Sequence, residues 1–292
     1  MLYRDFATQE ELDAQYNLRM VFPDAASLYE AFCARESERV REDIDHRLNV
    51  PFGPTLAEHS DLYPARGGAR GAPVLIYVHG GFWVLRTSKE FGFVARGPDS
   101  EGVATVVTNY ALCPEVTIDE IVRQTRAAVA WTYRNAESFG GDPERIHVAG
   151  HSAGGHLVTM LLATDWEGVY GLPASIIKSA TAISGLFDLA PFPYTFLQPK
   201  LQLTWDQALR NSPVLHLPDP QGRTPPLLVA YGEDETGEFR RQSEEFFAAW
   251  KAKGLEGELL ALPGKNHFDV IDGLLDAVSP LCSEILRRVR LE

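Results

Sequence analysis

Three features far apart in the chain have the chemistry of an activated nucleophile. Ser152 stands in Gly150-His151-Ser152-Ala153-Gly154, an acidic run follows at Glu233-Asp234-Glu235, and His267 comes after that. A serine hydroxyl is a poor nucleophile at neutral pH. It needs a base within hydrogen-bond reach and an acid to orient the base. One member of the acidic run must turn inward to hold the imidazole tautomer, and the other two are left for solvent. The run alone leaves Glu233, Asp234 and Glu235 open. Attack on a carbonyl creates an oxyanion. The turn His79-Gly80-Gly81-Phe82-Trp83 can aim the N–H groups of Gly81 and Phe82 at it, together with that of Ala153. His79 is expected to fix that turn by hydrogen bonding and to transfer no proton.

His147, His151 and His156 lie close in sequence and suggest a rival, a metal site. His147 falls within a strand, His151 at a turn and His156 on a helix, so their side chains should diverge. No cysteine or carboxylate joins them at a ligand-like spacing. Neither a metal nor a cofactor is expected.

The elements that position these residues follow from apolar patterning. Ile146-His147-Val148-Ala149 reads as a short strand and Leu157, Met160 and Leu161 as a helix, expected to run to about Thr164. The serine between them would sit on a strained strand-to-helix turn. Side chains at Gly150 or Gly154 would collide with neighbouring backbone there. Pro73–Val78, Val103–Val107, Thr181–Ser184, Leu227–Tyr231 and Glu258–Leu262 are further apolar strands, of the kind buried on both faces. Thr117-Ile118-Asp119-Glu120 has the form of a capping box, and Gly140-Gly141 stops the helix it opens. A helix carrying Phe239, Phe246, Phe247 and Trp250 ends at Gly254. Strand and helix alternate, which implies a mostly parallel, doubly wound α/β sheet. In such sheets ligands bind beyond the carboxyl ends of the strands. His79-Gly80-Gly81, Ser152, the acidic run and His267 each come just after a strand.

The remainder is organised as one domain over 1–292. Residues 1–47 form a helical extension, with a second run at Ser27–Arg41. An antiparallel pair at the sheet edge follows, turning at Pro51, Gly53 and Pro54. Prolines crowd the segment from Gly185 to Pro226 and exclude long regular elements. This stretch, about 185–226, is read as a cap over the carboxyl edge. Its aromatics, Phe187, Phe192, Tyr194, Phe196 and Trp205, either line a pocket or pack the cap.

The net charge of -13 argues against nucleic acid or an anionic membrane as a partner. The expected partner is a small-molecule substrate, with a homodimer left open. Three scattered cysteines, Cys33, Cys113 and Cys282, suit a reducing compartment. No signal peptide or membrane-length apolar run is seen, and the location expected is cytoplasmic.

The chain resembles the arylformamidase (kynurenine formamidase) group of α/β-hydrolases, which is related to the hormone-sensitive-lipase-like esterases. The matching pieces are Leu12-Asp13-Ala14-Gln15-Tyr16-Asn17, His79-Gly80-Gly81-Phe82-Trp83, Tyr110-Ala111-Leu112-Cys113-Pro114, Phe139-Gly140-Gly141-Asp142-Pro143, Gly150-His151-Ser152-Ala153-Gly154-Gly155-His156, Glu238-Phe239-Arg240-Arg241-Gln242-Ser243 and Asn266-His267-Phe268. The order serine, acid, histidine is also that of the fold. In this group two residues separate the acid from the Glu-Phe-Arg-Arg-Gln-Ser piece, which implies Glu235, with Asp234 second and Glu233 third. Aspartate is commoner there in the eukaryotic enzymes, so Glu235 is a departure that keeps the charge. The resemblance implies hydrolysis of N-formyl-L-kynurenine to L-kynurenine and formate. It casts Ser152 as nucleophile, His267 as base and Glu235 as acid, with Gly81, Phe82 and Ala153 at the oxyanion. Trp83 and Phe187 are candidates to stack on an aryl substrate. The triad chemistry equally supports a carboxylesterase or another amidase. A non-catalytic binding protein on the same scaffold is the remaining alternative.

Overall fold

The computed structural model describes residues 1–220, 222 and 224–290; Gln221 and Arg223, within the expected cap, lie outside the described residues. The apolar runs form the strands of one eight-stranded sheet in the order β1-β2-β4-β3-β5-β6-β7-β8. These are β1 (Arg47–Pro51), β2 (His59–Tyr63), β3 (Ala72–Val78), β4 (Ala104–Thr108), β5 (Gly141–His151), β6 (Ile177–Ile183), β7 (Leu227–Gly232) and β8 (Gly257–Leu262). From β4 to β8 every pairing is parallel; β1 and β2 join antiparallel at one edge.

Alternation along β3 divides the core. Val74, Ile76 and Val78 face one side, and Leu75 and Tyr77 face the other. The first face is covered by α5 (Ile118–Asn135), α6 (Ala153–Leu162) and α10 (Gly237–Ala252), through Ile121, Val129, Leu157, Phe239 and Phe246. The second is covered by α3 (Pro23–Asp43) and α11 (Pro280–Arg290), through Cys33, Val40, Leu281 and Ile285. Burying side chains of this size contributes roughly 1.5–3 kcal/mol each, which is why strands apolar on both faces become central. The N-terminal region is therefore more than an appendage, since α3 supplies part of one helical layer. Among the described residues no helix is long and apolar enough to cross a membrane.

Several local expectations need adjustment. The strand bearing the serine begins at Gly141, ahead of Ile146, and β6 begins at Ile177, ahead of Thr181. Only half of the capping box at Thr117 forms. Its hydroxyl accepts from Glu120 N–H, but the Glu120 carboxylate is taken by Arg123 and Gln124. Helix α6 stops at Leu162, two residues before Thr164. Among the described residues the proline-rich segment holds only the short helices α8 (Gln198–Leu201) and α9 (Trp205–Arg210), with a 3-10 turn before them at Phe192–Tyr194 and another after them at Pro213–Leu215.

Candidate active site

Ser152 occupies the junction of β5 and α6 with φ 58° and ψ -119°, a left-handed backbone that strains any residue but glycine. Its N–H donates to Ile183 O at 2.8 Å, and its carbonyl accepts from His156 N–H at 3.1 Å. Gly154 is dictated by space, because a Cβ there would lie 1.9 Å from the carbonyl oxygen of Val78. The sheet and the turn therefore lie too close for any side chain between them.

The loops after β7 and β8 are laced together by main-chain bonds. Glu233 N–H donates to Leu262 O at 3.1 Å and Asp234 N–H to Lys265 O at 3.0 Å. Both of those side chains are exposed, while Glu235 is buried. The inward carboxylate is thus Glu235. Its Oε2 accepts from His267 Nδ1–H at 2.7 Å, and its Oε1 accepts from Gly232 N–H at 2.8 Å. Ser184 Oγ–H donates to the same Oε1. Ser184 is a residue that sequence alone did not single out. It ends up here because β6 lies between β5 and β7, which no local pattern reveals.

The imidazole of His267 is held between two rings, Phe239 at 4.1 Å and His151 at 4.6 Å between centroids. With Nδ1–H committed to Glu235, Nε2 is the basic nitrogen. Ser152 and His267 line one cavity. Among the hydrogen bonds of the described residues, none joins the two. Such bonds are often long in a resting enzyme and tighten when substrate is bound.

The N–H groups of Gly81, Phe82 and Ala153 donate to no acceptor among the described residues. Gly81 has φ 119°, and a Cβ there would meet Leu85 O at 2.2 Å. The turn's fold-back is closed by bonds from Val84 and Leu85 N–H to Gly81 O, both 3.0 Å. His79 fixes this turn: Nδ1–H donates to Gly80 O at 2.8 Å, and the ring is stacked between Tyr110 and Phe91. Burial pushes its pKa down to about 4, so it stays neutral.

The three neighbouring histidines do diverge. His147 bonds Ser179 Oγ, and His156 Nε2–H donates to Asn211 O at 2.8 Å. His151 is buried against His267, with both ring nitrogens unpartnered and its pKa pushed well below the usual value, first by burial and then by the neighbouring imidazole. Among the described residues no group of His, Cys, Asp and Glu is arranged to hold a metal ion.

Two expected substrate contacts are corrected by the structure. Trp83 is fully buried, and its Nε1–H donates to His156 Nδ1 at 3.2 Å, joining the glycine turn to α6. Phe187 is stacked on Phe246 at 4.1 Å between centroids. Neither lines the cavity. Both rings are consumed by packing that ties the elements together. Of the five cap aromatics only Phe196 reaches the cavity, a space of about 110 Å³. The N-terminal segment contributes Asn17, Leu18, Arg19 and Tyr29 to its wall, and the loop after β3 adds Leu85, Arg86 and Phe91.

The N-terminal segment is anchored beside the site where two of the pieces that carry the family resemblance meet, Leu12–Asn17 and Glu238–Ser243. Tyr16 O–H donates to Glu238 Oε2 at 2.9 Å and accepts from Gln242 Nε2 at 3.0 Å. Thr236 O–H donates to Gln15 O at 2.8 Å. The Glu-Phe-Arg-Arg-Gln-Ser piece therefore clamps the helix ending at Tyr16, and its Phe239 presses on His267.

Fold and site together define a serine hydrolase of the α/β-hydrolase class. A family model described as BD-FAE matches residues 60–171. Kynurenine formamidase of Salmo salar is 32% identical over 94% of this chain and 92% of its own length. That of Danio rerio is 30% identical over 97% of each. A Silicibacter sp. TM1040 protein, provisionally named a thioesterase, superposes with TM-score 0.81 at 30% identity, covering 94% of this chain and 99% of that one. The chain belongs to the kynurenine formamidase family.

Proposed function

We propose that the protein hydrolyses an aryl formamide, N-formyl-L-kynurenine, to the free arylamine and formate. Ser152 Oγ attacks the formyl carbon while its proton passes to His267 Nε2. Glu235 keeps the Nδ1 proton in place and balances the imidazolium that forms. The oxyanion is received by the N–H groups of Gly81, Phe82 and Ala153, each worth on the order of 10²- to 10³-fold. The tetrahedral species collapses, the C–N bond breaks, and the arylamine leaves with the proton from His267. Water, deprotonated by His267, attacks the formyl-enzyme ester; collapse returns the proton to Ser152 Oγ and releases formate.

The observation that carries the proposal is the buried His267–Glu235 pair opening onto the same cavity as Ser152. The full-length similarity to the fish formamidases supports the substrate. The test is a comparison of N-formyl-L-kynurenine with short p-nitrophenyl esters. Formamide kcat/KM at or above ester values is expected. Formamide turnover far below ester turnover rejects the substrate and leaves an esterase. A fluorophosphonate probe should label the protein and fail to label Ser152→Ala. Absence of labelling on folded protein would reject the enzymatic role.

A further inference from the structure

The wall of the cavity is mostly apolar, with Leu18, Leu85, Phe91, Leu197 and Phe268 among its residues. Among the described lining residues the only lysine or arginine side chains are Arg19 and Arg86. On a chain of net charge -13, these two guanidinium groups offset the carboxylates of Glu30 and Glu90, so this part of the wall carries no excess negative charge. Arg86 is built in. Its backbone has φ 79°, a conformation that a long side chain rarely adopts. Its two terminal nitrogens are pinned by Glu90 at 2.7 Å and Glu30 at 3.1 Å, and its carbon lies 5.5 Å from the Tyr29 ring centre. The side chain is 16% exposed. Arg19 pairs with the same Glu30 oxygen. The two guanidinium groups are thus bridged by one carboxylate oxygen, with Glu90 holding Arg86 as well, at the wall of a mostly apolar cavity.

The structure assigns to Arg86, with Arg19, the recognition of a carboxylate on the leaving-group side of the substrate. This rests on the formamidase reading, whose substrate carries a formamide on its ring and an α-amino acid head at its far end. An apolar wall accommodates the ring. The guanidinium pair, bridged by Glu30, meets the carboxylate. Arginine suits this task because only two of the five N–H donors of Arg86 go to Glu90 and Glu30, leaving others for a carboxylate, and a charge-assisted bond discriminates far better than an apolar contact. Substrate choice is thereby placed on the N-terminal segment and the loop after β3, not on the proline-rich cap.

The test uses two substrate pairs in which only one member carries a carboxylate: N-formyl-L-kynurenine against formanilide, which lacks the whole amino-acid side chain, and 3-acetoxybenzoate against phenyl acetate, which lacks the carboxylate alone. The wild-type protein should favour the carboxylated member of each pair. In Arg86→Met the ratio of kcat/KM values should fall roughly 10- to 100-fold, mainly through KM. Arg86→Lys should recover part of the ratio, and Arg19→Met should lower it by a smaller factor, since that side chain is more exposed. Added salt should compress the wild-type ratio. An unchanged ratio, an equal loss on both members of a pair, or no wild-type preference overturns the assignment. If Arg86→Met does not fold, Arg86→Lys and Arg19→Met carry the same test. Formamide turnover with an unaltered ratio removes the anchor and leaves the formamidase standing. A lost ester ratio without formamide turnover does the reverse.

Discussion

Replacing Glu235 by glutamine should be far more damaging than the loss of one charge suggests. Oε1 accepts from both Gly232 N–H and Ser184 O–H, so that position demands an acceptor. The amide oxygen of glutamine must therefore take the Oε1 place. Its NH₂ then falls where Oε2 stood, 2.7 Å from His267 Nδ1. Two donors cannot share that bond, so Nδ1 must lose its proton and Nε2 must carry one. The base then faces Ser152 in the wrong tautomer. The expected loss is roughly 10³- to 10⁴-fold in kcat, equivalent to about 4 to 5.5 kcal/mol of barrier, with KM little altered. Glu235→Asp keeps the tautomer but withdraws the carboxylate by roughly one C–C bond, about 1.5 Å. Misplacement on that scale should cost on the order of 10²-fold. Steady-state kinetics on p-nitrophenyl acetate and the rate of fluorophosphonate labelling report both effects. Glu235→Gln within tenfold of wild type, or an equal loss in Asp234→Asn, would refute the assignment of the acid.

The same geometry carries other outcomes. Ser184→Ala removes one donor to the buried carboxylate and should lower kcat about tenfold; an unchanged kcat would count against that bond. Trp83→Phe leaves His156 Nδ1 without its donor and should cost about 1–3 kcal/mol of stability in urea denaturation; a cost below 0.5 kcal/mol would count against the Trp83–His156 tie. Acid should destabilise the fold before carboxylates titrate. Burial lowers both His79 and His156 to about 4. The unfolded chain, with histidine near 6.5, takes up protons that the folded chain refuses, so stability is full above about 6.5 and declines as pH falls toward 4. Between pH 7 and 5 each contributes a loss on the order of 2 kcal/mol, and equal urea midpoints at those two pH values would contradict it.

Much of this protein is written in local pattern. Glycines at 150 and 154 around Ser152, an apolar strand before them and a helix after them define the elbow through short-range sterics. Runs such as Val74–Val78 are apolar at every position because helices cover both faces of the sheet, and that composition is readable without coordinates. The order of serine, acid and histidine follows from chain order alone.

Other features depend on contacts between distant segments, which leave no local trace. Glu233, Asp234 and Glu235 are chemically alike. Only the lacing of the loop after β7 to Lys265 and Leu262 turns the third inward, and Ser184 meets it because β6 happens to lie alongside. Trp83 and Phe187 have the composition of substrate contacts, yet a ring that packs and a ring that stacks on a ligand look the same in sequence. The wall of the cavity likewise comes from the N-terminal segment, because Tyr16 is held by Glu238 and Gln242 across more than 200 positions. Backbone sterics act between neighbours, so the sequence by itself determined the elbow and the strands. Which side chains face the cavity is set by how layers dock, so the tertiary structure turned inward the carboxylate that the family resemblance implies, and it alone decided the supporting hydroxyl and the arginines at the cavity wall.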